Sequence, residues 1–173
     1  MSGISYSQLR QYVVQPALHQ LGLYSLVAEQ LVIGTIAQES GGSYLVQLGG
    51  GPALGLIQME PATHKDHWLN FLKHYPRLRE KLLAITSDTA DVVYEQYGWP
   101  DHQALVWNLR YAIAMCRVHY YRRPEALPKA NDIKALAQYW KDHYNTIHGA
   151  GTVSEFIHNF PFGLYGLDQE QFK

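Results

Sequence analysis

Apolar residues recur along this chain at helical spacing, and strand-like alternation is scarce. Ser7 to Gln20 reads as a first helix, with Pro16 as a kink or a restart. A second runs from Ser25, placed to cap it, to Glu39. Its apolar positions Leu26, Val27, Leu31, Val32, Ile36 and Ala37 form a stripe broad enough to predict burial on most sides. Gly41 and Gly42 stop it. Gly49 to Gly55, "GGGPALG", cannot be regular helix and predicts a turn-rich loop or short hairpin. Pro61 opens a helix with Trp68, Phe71, Leu72 and Tyr75 on one side; Pro76 interrupts it and starts another. Further helices are expected at Asp88 to Tyr97 and, as one long element, Asp101 to Tyr121. Asn131 is the expected cap of the next, with Ile133, Leu136, Ala137, Trp140 and Tyr144 on its face. Thr152 and Glu155 form a capping box for the last. The fold class is mainly α, about seven or eight helices, with at most a small β-hairpin.

With 173 residues and no linker, repeat or low-complexity tract, residues 1–173 read as one domain. The composition, 47% apolar and 17% charged, is that of an ordered globular protein. A formal net charge of −1 gives no broad field for nucleic acid, and no run of about 18 apolar residues predicts membrane insertion. The N-terminus lacks the basic and apolar regions of a secretory signal. Cys116, the single cysteine, excludes an internal disulfide and reads as a packing residue. Aromatic usage leans to 13 Tyr and 4 Trp against 5 Phe. Such rings suit sugar or peptide binding, although amphipathic residues at the core edge would look the same.

Chemistry enters at "IAQESGG", residues 36–42, where an oily helix ends on Glu39. The negative end of the helix dipole and burial both disfavour the carboxylate, so the Glu39 pKa is expected to rise. That suits a general acid working near neutral pH; a helix end meeting water would carry the same residue. In "GPALGLIQMEPAT", residues 51–63, glycines allow close backbone approach, and Gln58 sits between Ile57 and Met59. A buried Gln needs backbone or a polar ligand as partner.

Together these stretches resemble the lytic transglycosylases of the soluble, lysozyme-like kind. The family's Glu-Ser motif after an apolar helix is matched by Glu39-Ser40. Its Gly-Leu-Met-Gln, followed by Pro-Ala-Thr, is matched by Gly55-Leu56-Ile57-Gln58 and Pro61-Ala62-Thr63, with 19 residues from Glu39 to Gln58. Its Ala-Tyr-Asn-Ala-Gly is matched in part, by Tyr144-Asn145, without the flanking small residues. "NLRYAIAMC", from Asn108 to Cys116, resembles the family's long helix, with Ala112 where that pattern prefers Gly. The resemblance spans about residues 26–160.

It implies a lysozyme-like fold and cleavage of the β-1,4 bond between N-acetylmuramic acid and N-acetylglucosamine in peptidoglycan glycan strands. Glu39 would perform both proton transfers and yield a 1,6-anhydro product, with no cofactor and no metal. Ser40 and Gln58 would position sugar groups or Glu39; Tyr144 would bond Glu39 or the muramic acid; Asn145 would hold the loop or the sugar. Glu60 and Asp66 keep a hydrolytic alternative open, because either carboxylate could activate water if it faced the cleft. Otherwise Glu60 is a helix N-terminal charge beside Pro61. His64 and His67 lie three apart, and His143 and His148 flank Tyr144. Without an HExxH or a cysteine pair they read as solvated or hydrogen-bonded, with a zinc amidase as a distant alternative. A non-enzymatic glycan-binding or virion module is a third reading. The substrate lies outside the cytoplasmic membrane and no leader is recognised. The expectation is therefore a phage-type protein, a monomer or part of a phage particle, reaching the wall from the cytoplasm.

Overall fold

A computed structural model describes residues 3–87, 98–145 and 149–172. The chain is mainly α, and the elements are α1 (Tyr6–Leu9), α2 (Gln15–Leu21), α3 (Leu26–Glu39), α4 (Pro61–Asp66), α5 (Pro76–Thr86), α6 (Ala104–Trp107), α7 (Leu109–Tyr121), α8 (Ile133–Trp140) and α9 (Val153–Asn159). The only β pairing among the described residues is two isolated bridges, Val46 to Leu54 and Leu54 to Met59. The glycine-rich stretch is thus a pinned loop.

α3 runs through the middle. Every residue from Ala28 to Ala37 is buried, including Glu29, Gln30 and Thr35. It packs against α7, α8, α9 and the turn between α1 and α2. A helix surrounded on all sides must find partners for each polar group inside. Ser25 caps it, accepting from the Ala28 N–H at 3.2 Å. Glu29 takes Arg10 Nε at 2.5 Å and Gln15 Nε2 at 2.9 Å. Thr35 shares a 2.7 Å bond with the Tyr120 hydroxyl. Gln30 exchanges two bonds with Asn131, side chain to side chain at 2.7 Å and Asn131 N–H to Gln30 Oε1 at 2.9 Å.

Several boundaries differ from the sequence reading. α1 and α2 join without a break through a wide turn, Arg10–Val14, where the Gln15 N–H bonds Arg10 O. Pro16 follows directly, where the hydrogen-bond pattern shifts from the wide turn to α2. The expected long helix over 101–121 is interrupted. Asn108 leaves helical dihedrals (φ −107°, ψ 94°) and caps α7, accepting from the Tyr111 N–H at 3.0 Å. Asn131 is not the cap of α8. It sits at φ 68° to meet Gln30, and Asp132 caps through the Ala135 N–H at 3.0 Å. Tyr75 is not on the buried face with Trp68, Phe71 and Leu72; it is 41% exposed. The capping box of Thr152 and Glu155 is present. The helix expected at 88–97, and His148, lie outside the described residues.

His64 and His67 are buried. His64 Nε2 pairs with the Tyr111 hydroxyl at 2.7 Å and His67 Nε2 with His119 Nδ1 at 3.0 Å. His119 Nε2 in turn faces His143 O at 2.7 Å. A carbonyl only accepts, so His119 carries its proton on Nε2 and accepts from His67 through Nδ1. Burial holds both rings neutral, at about 3 for His67 and about 4 for His119. No group of three metal-ligating side chains occurs among the described residues.

Gly34 is where α3 packs tightly on Phe156 of α9. A Cβ there would lie 2.3 Å from Phe156 Cζ, in a wall of fully buried rings. Gly34→Ala gains helix propensity but must displace Phe156. We expect a net loss of about 1–3 kcal/mol in unfolding free energy, measured by urea denaturation. Unchanged or raised stability would contradict this packing.

Candidate active site

α3 delivers Glu39 to the wall of a cleft of about 880 Å³. The chain leaves at once: Ser40 abandons helical geometry, and Gly41 and Gly42 take φ of 59° and 65°. One carboxylate oxygen of Glu39 accepts the indole N–H of Trp140 at 2.9 Å. Desolvation pushes its pKa up to about 7, against the smaller opposing effect of the Trp140 bond. At neutral pH the site therefore holds an acid that is about half protonated.

The placement of Trp140 follows from the packing of α3 and α8. Gln30 and Asn131 are paired near one end of these helices, and Glu39 and Trp140 at the other. Both pairs are separated by 101 residues in sequence. The two helices thus run in the same direction, and the end of α8 brings Trp140 beside Glu39 at the end of α3. Trp140 is wholly buried, so its N–H has no water to compete for it.

The second glycine-rich stretch is clasped from both sides. Ser40 Oγ donates to Leu56 O at 2.7 Å, and Tyr144 Oη donates to Ile57 O at 2.7 Å. Gly55 has φ 72°, and a Cβ on it would lie 2.4 Å from Leu105 O, so only glycine lets the loop sit against α6. Gln58 follows with φ 49°, an unusual value for a side-chain-bearing residue, and its Nε2 donates to Gly55 O at 2.8 Å. These contacts hold Gln58 in the cleft wall.

All five residues expected at the site line this one cleft: Glu39, Ser40, Gln58, Tyr144 and Asn145. Their roles divide. Ser40 is 4% exposed and its hydroxyl is committed to backbone, so it braces the loop and is not free for a sugar. The Tyr144 hydroxyl meets Ile57 O and not Glu39. Asn145 holds the loop: its Oδ1 accepts from Lys141 Nζ at 2.8 Å. The same ammonium donates to Gly149 O and Gly151 O at 2.9 and 2.8 Å, which uses its three N–H groups. Tyr144 and Asn145 belong to a wide turn, Lys141–Asn145, that continues α8.

Of the two further carboxylates, exposed Glu60 lines the cleft beside Gln58. It stands at the N-terminal end of α4 but makes no side-chain cap bond. Asp66 does not line the cleft. It is bonded to Arg122 and, at 2.6 Å, to Asn70, which together hold its carboxyl below the usual range. The sequence reading missed Trp140 as partner of Glu39, Lys141 as organiser of the loop, and His119 as a cleft residue. Trp140 and Lys141 were visible as polar-tipped neighbours of the "YN" motif, but nothing in the sequence shows which way an indole N–H points.

No family model, curated protein or solved structure matches this chain.

A Glu39 that ionises near 7 when folded and near 4.5 when unfolded makes stability fall as pH rises. Below 4.5 both states hold the proton. Between 4.5 and 7 only the unfolded chain releases it, and above 7 the loss is complete. Glu39→Gln removes this dependence. Its stability relative to the parent chain should grow by up to about 3 kcal/mol between pH 4 and pH 9, read by denaturant titration at each pH. A pH-independent difference would contradict the burial of Glu39.

Proposed function

We propose that this protein is a peptidoglycan muramidase working as a lytic transglycosylase, with Glu39 as its sole acid and base. The observation that carries the reading is Glu39 itself: a carboxyl at the end of a buried helix, open to a large cleft, poised near neutral pH. The motif resemblance supplies the substrate class. The convergence of its three motifs on one cleft supports it, because residues 39–40, 55–58 and 144–145 are far apart in sequence.

In this mechanism protonated Glu39 gives its proton to the glycosidic oxygen as the bond from the muramic acid anomeric carbon to that oxygen breaks. The substrate's own acetamido oxygen stabilises the cationic carbon, so a second carboxylate is unnecessary. Glu39, now ionised, takes the proton of the C6 hydroxyl of the same muramic acid. That oxygen attacks the anomeric carbon and closes the 1,6-anhydro ring, and Glu39 ends protonated as it began. A pKa near 7 serves both halves of the cycle. Trp140 orients the carboxyl, and Gln58, with its Oε1 not engaged by the loop, offers polar contact to the sugar. The reading places the work of the protein at the bacterial wall, as a lytic or particle-borne phage-type enzyme.

Hydrolysis is the second reading, favoured by one observation: Glu60 lines the same cleft with its carboxylate exposed. Asp66 drops out of it, being tied to Arg122 and Asn70.

Mass analysis of muropeptides released from purified sacculi separates the two. The transglycosylase reading expects 1,6-anhydro ends, a loss of roughly 10²- to 10⁴-fold in rate for Glu39→Gln, and near-normal rate for Glu60→Gln. Reducing ends, with activity lost in Glu60→Gln, mean hydrolysis. Full activity in Glu39→Gln rules out both mechanisms.

A further inference from the structure

A second concavity of about 420 Å³ shares no lining residue with the cleft. It lies where the end of α2, the start of α5 and the last residue of α7 meet. Its volume is in the range of small-molecule sites, roughly 300–1,000 Å³. Tyr75 and Tyr121 line it, each 41% exposed, with ring centroids 6.1 Å apart and edge to face. These are exposed aromatic surfaces.

The charge here is of one sign. Lys81 Nζ is pinned by donating to Leu21 O at 2.9 Å, and a Cβ on Gly22 would lie 2.8 Å from it. That leaves a fixed ammonium with two further N–H donors. Arg77 lines the pocket and has no hydrogen-bond or ion-pair partner among the described residues. Behind Tyr121, the Arg117 guanidinium lies 5.5 Å from its ring centroid and donates to Leu23 O at 3.2 Å. Among the described residues no carboxylate lines the pocket, while the main cleft holds Glu39 and Glu60. In a chain of net charge −1 this separation is local and directed.

Exposed tyrosine rings pack on the C–H face of a pyranose ring, and cations such as Lys81 and Arg77 bind a carboxylate on that ring. A bare phosphate or a peptide carboxylate would engage the cations and leave the tyrosines unused. We propose that this pocket binds a carboxylate-bearing sugar unit of an acidic polysaccharide. Its role would be to hold the protein on acidic wall polymers while the cleft acts on neighbouring glycan strands. That role rests on the muramidase reading; the binding does not.

The test titrates full-length protein carrying Glu39→Gln with a short oligogalacturonate, following backbone amide shifts. Using the inactive variant keeps binding separate from cleavage, so either can fail alone. The proposal expects saturable shifts at Gly22, Leu23 and Arg77. It expects affinity to fall about tenfold in Tyr75→Ala and in Arg77→Ala, both exposed positions, and to fall with added salt. The methyl-esterified oligomer should bind at least about tenfold more weakly, having lost the charge. No saturation at millimolar ligand, or equal binding of the ester, overturns the site. Equal shifts with acetate or inorganic phosphate alone overturn its saccharide part.

Discussion

Everything in this protein is arranged around one helix whose middle cannot touch water. α3 is buried from Ala28 to Ala37, and its burial dictates what surrounds it. Its polar side chains are each met by a specific partner from another element: Glu29 from the turn between α1 and α2 and the first residue of α2, Gln30 from the residue before the cap of α8, Thr35 from α7. Leaving any of these unpaired in the interior would cost about 1–3 kcal/mol each, so they act as registration marks for the packing. The pairing of Gln30 with Asn131 is the most consequential, because it sets α8 beside α3 and so brings Trp140 to Glu39.

The same constraint creates the chemistry. A helix in the core has its carbonyl end somewhere, and here that end opens on a cleft. Glu39 is the first α3 side chain beyond the fully buried stretch with a carboxyl to ionise, and it meets both the negative helix end and a dry surrounding. The cleft wall opposite is made by a loop that is bonded within itself and also held by its neighbours. Leu56 O and Ile57 O are gripped by Ser40 and Tyr144, and Gln58 is turned into a left-handed conformation between these fixed points. Two hydroxyls that look like substrate ligands in a motif are spent on holding a backbone. The site is rigid because its polar residues support one another before any ligand arrives.

Much of this was legible in the residues, for identifiable reasons. An apolar stripe too broad for a surface helix shows burial, and Glu39 before two glycines shows where burial ends. The capping box of Thr152 and Glu155 is local and survives packing. What was not legible depends on contacts distant in sequence. Asn108 and Asn131 both look like ordinary helix residues or caps, yet one breaks a helix and the other is drawn to φ 68° by Gln30, 101 residues away. His64 and His67 show ligand-like spacing, but each has a separate buried partner, Tyr111 and His119. Trp140 reads as one more apolar position on α8, because its N–H matters only once α3 lies beside it.

The central claim is that the dry end of α3 keeps Glu39 protonated up to neutral pH. The direct measurement is a ¹³C NMR titration of the Glu39 side-chain carboxyl in the folded protein. The account predicts a midpoint near 7. A midpoint near the ordinary value of 4.5 would mean that Glu39 is solvated and ionised at neutral pH, and would contradict it.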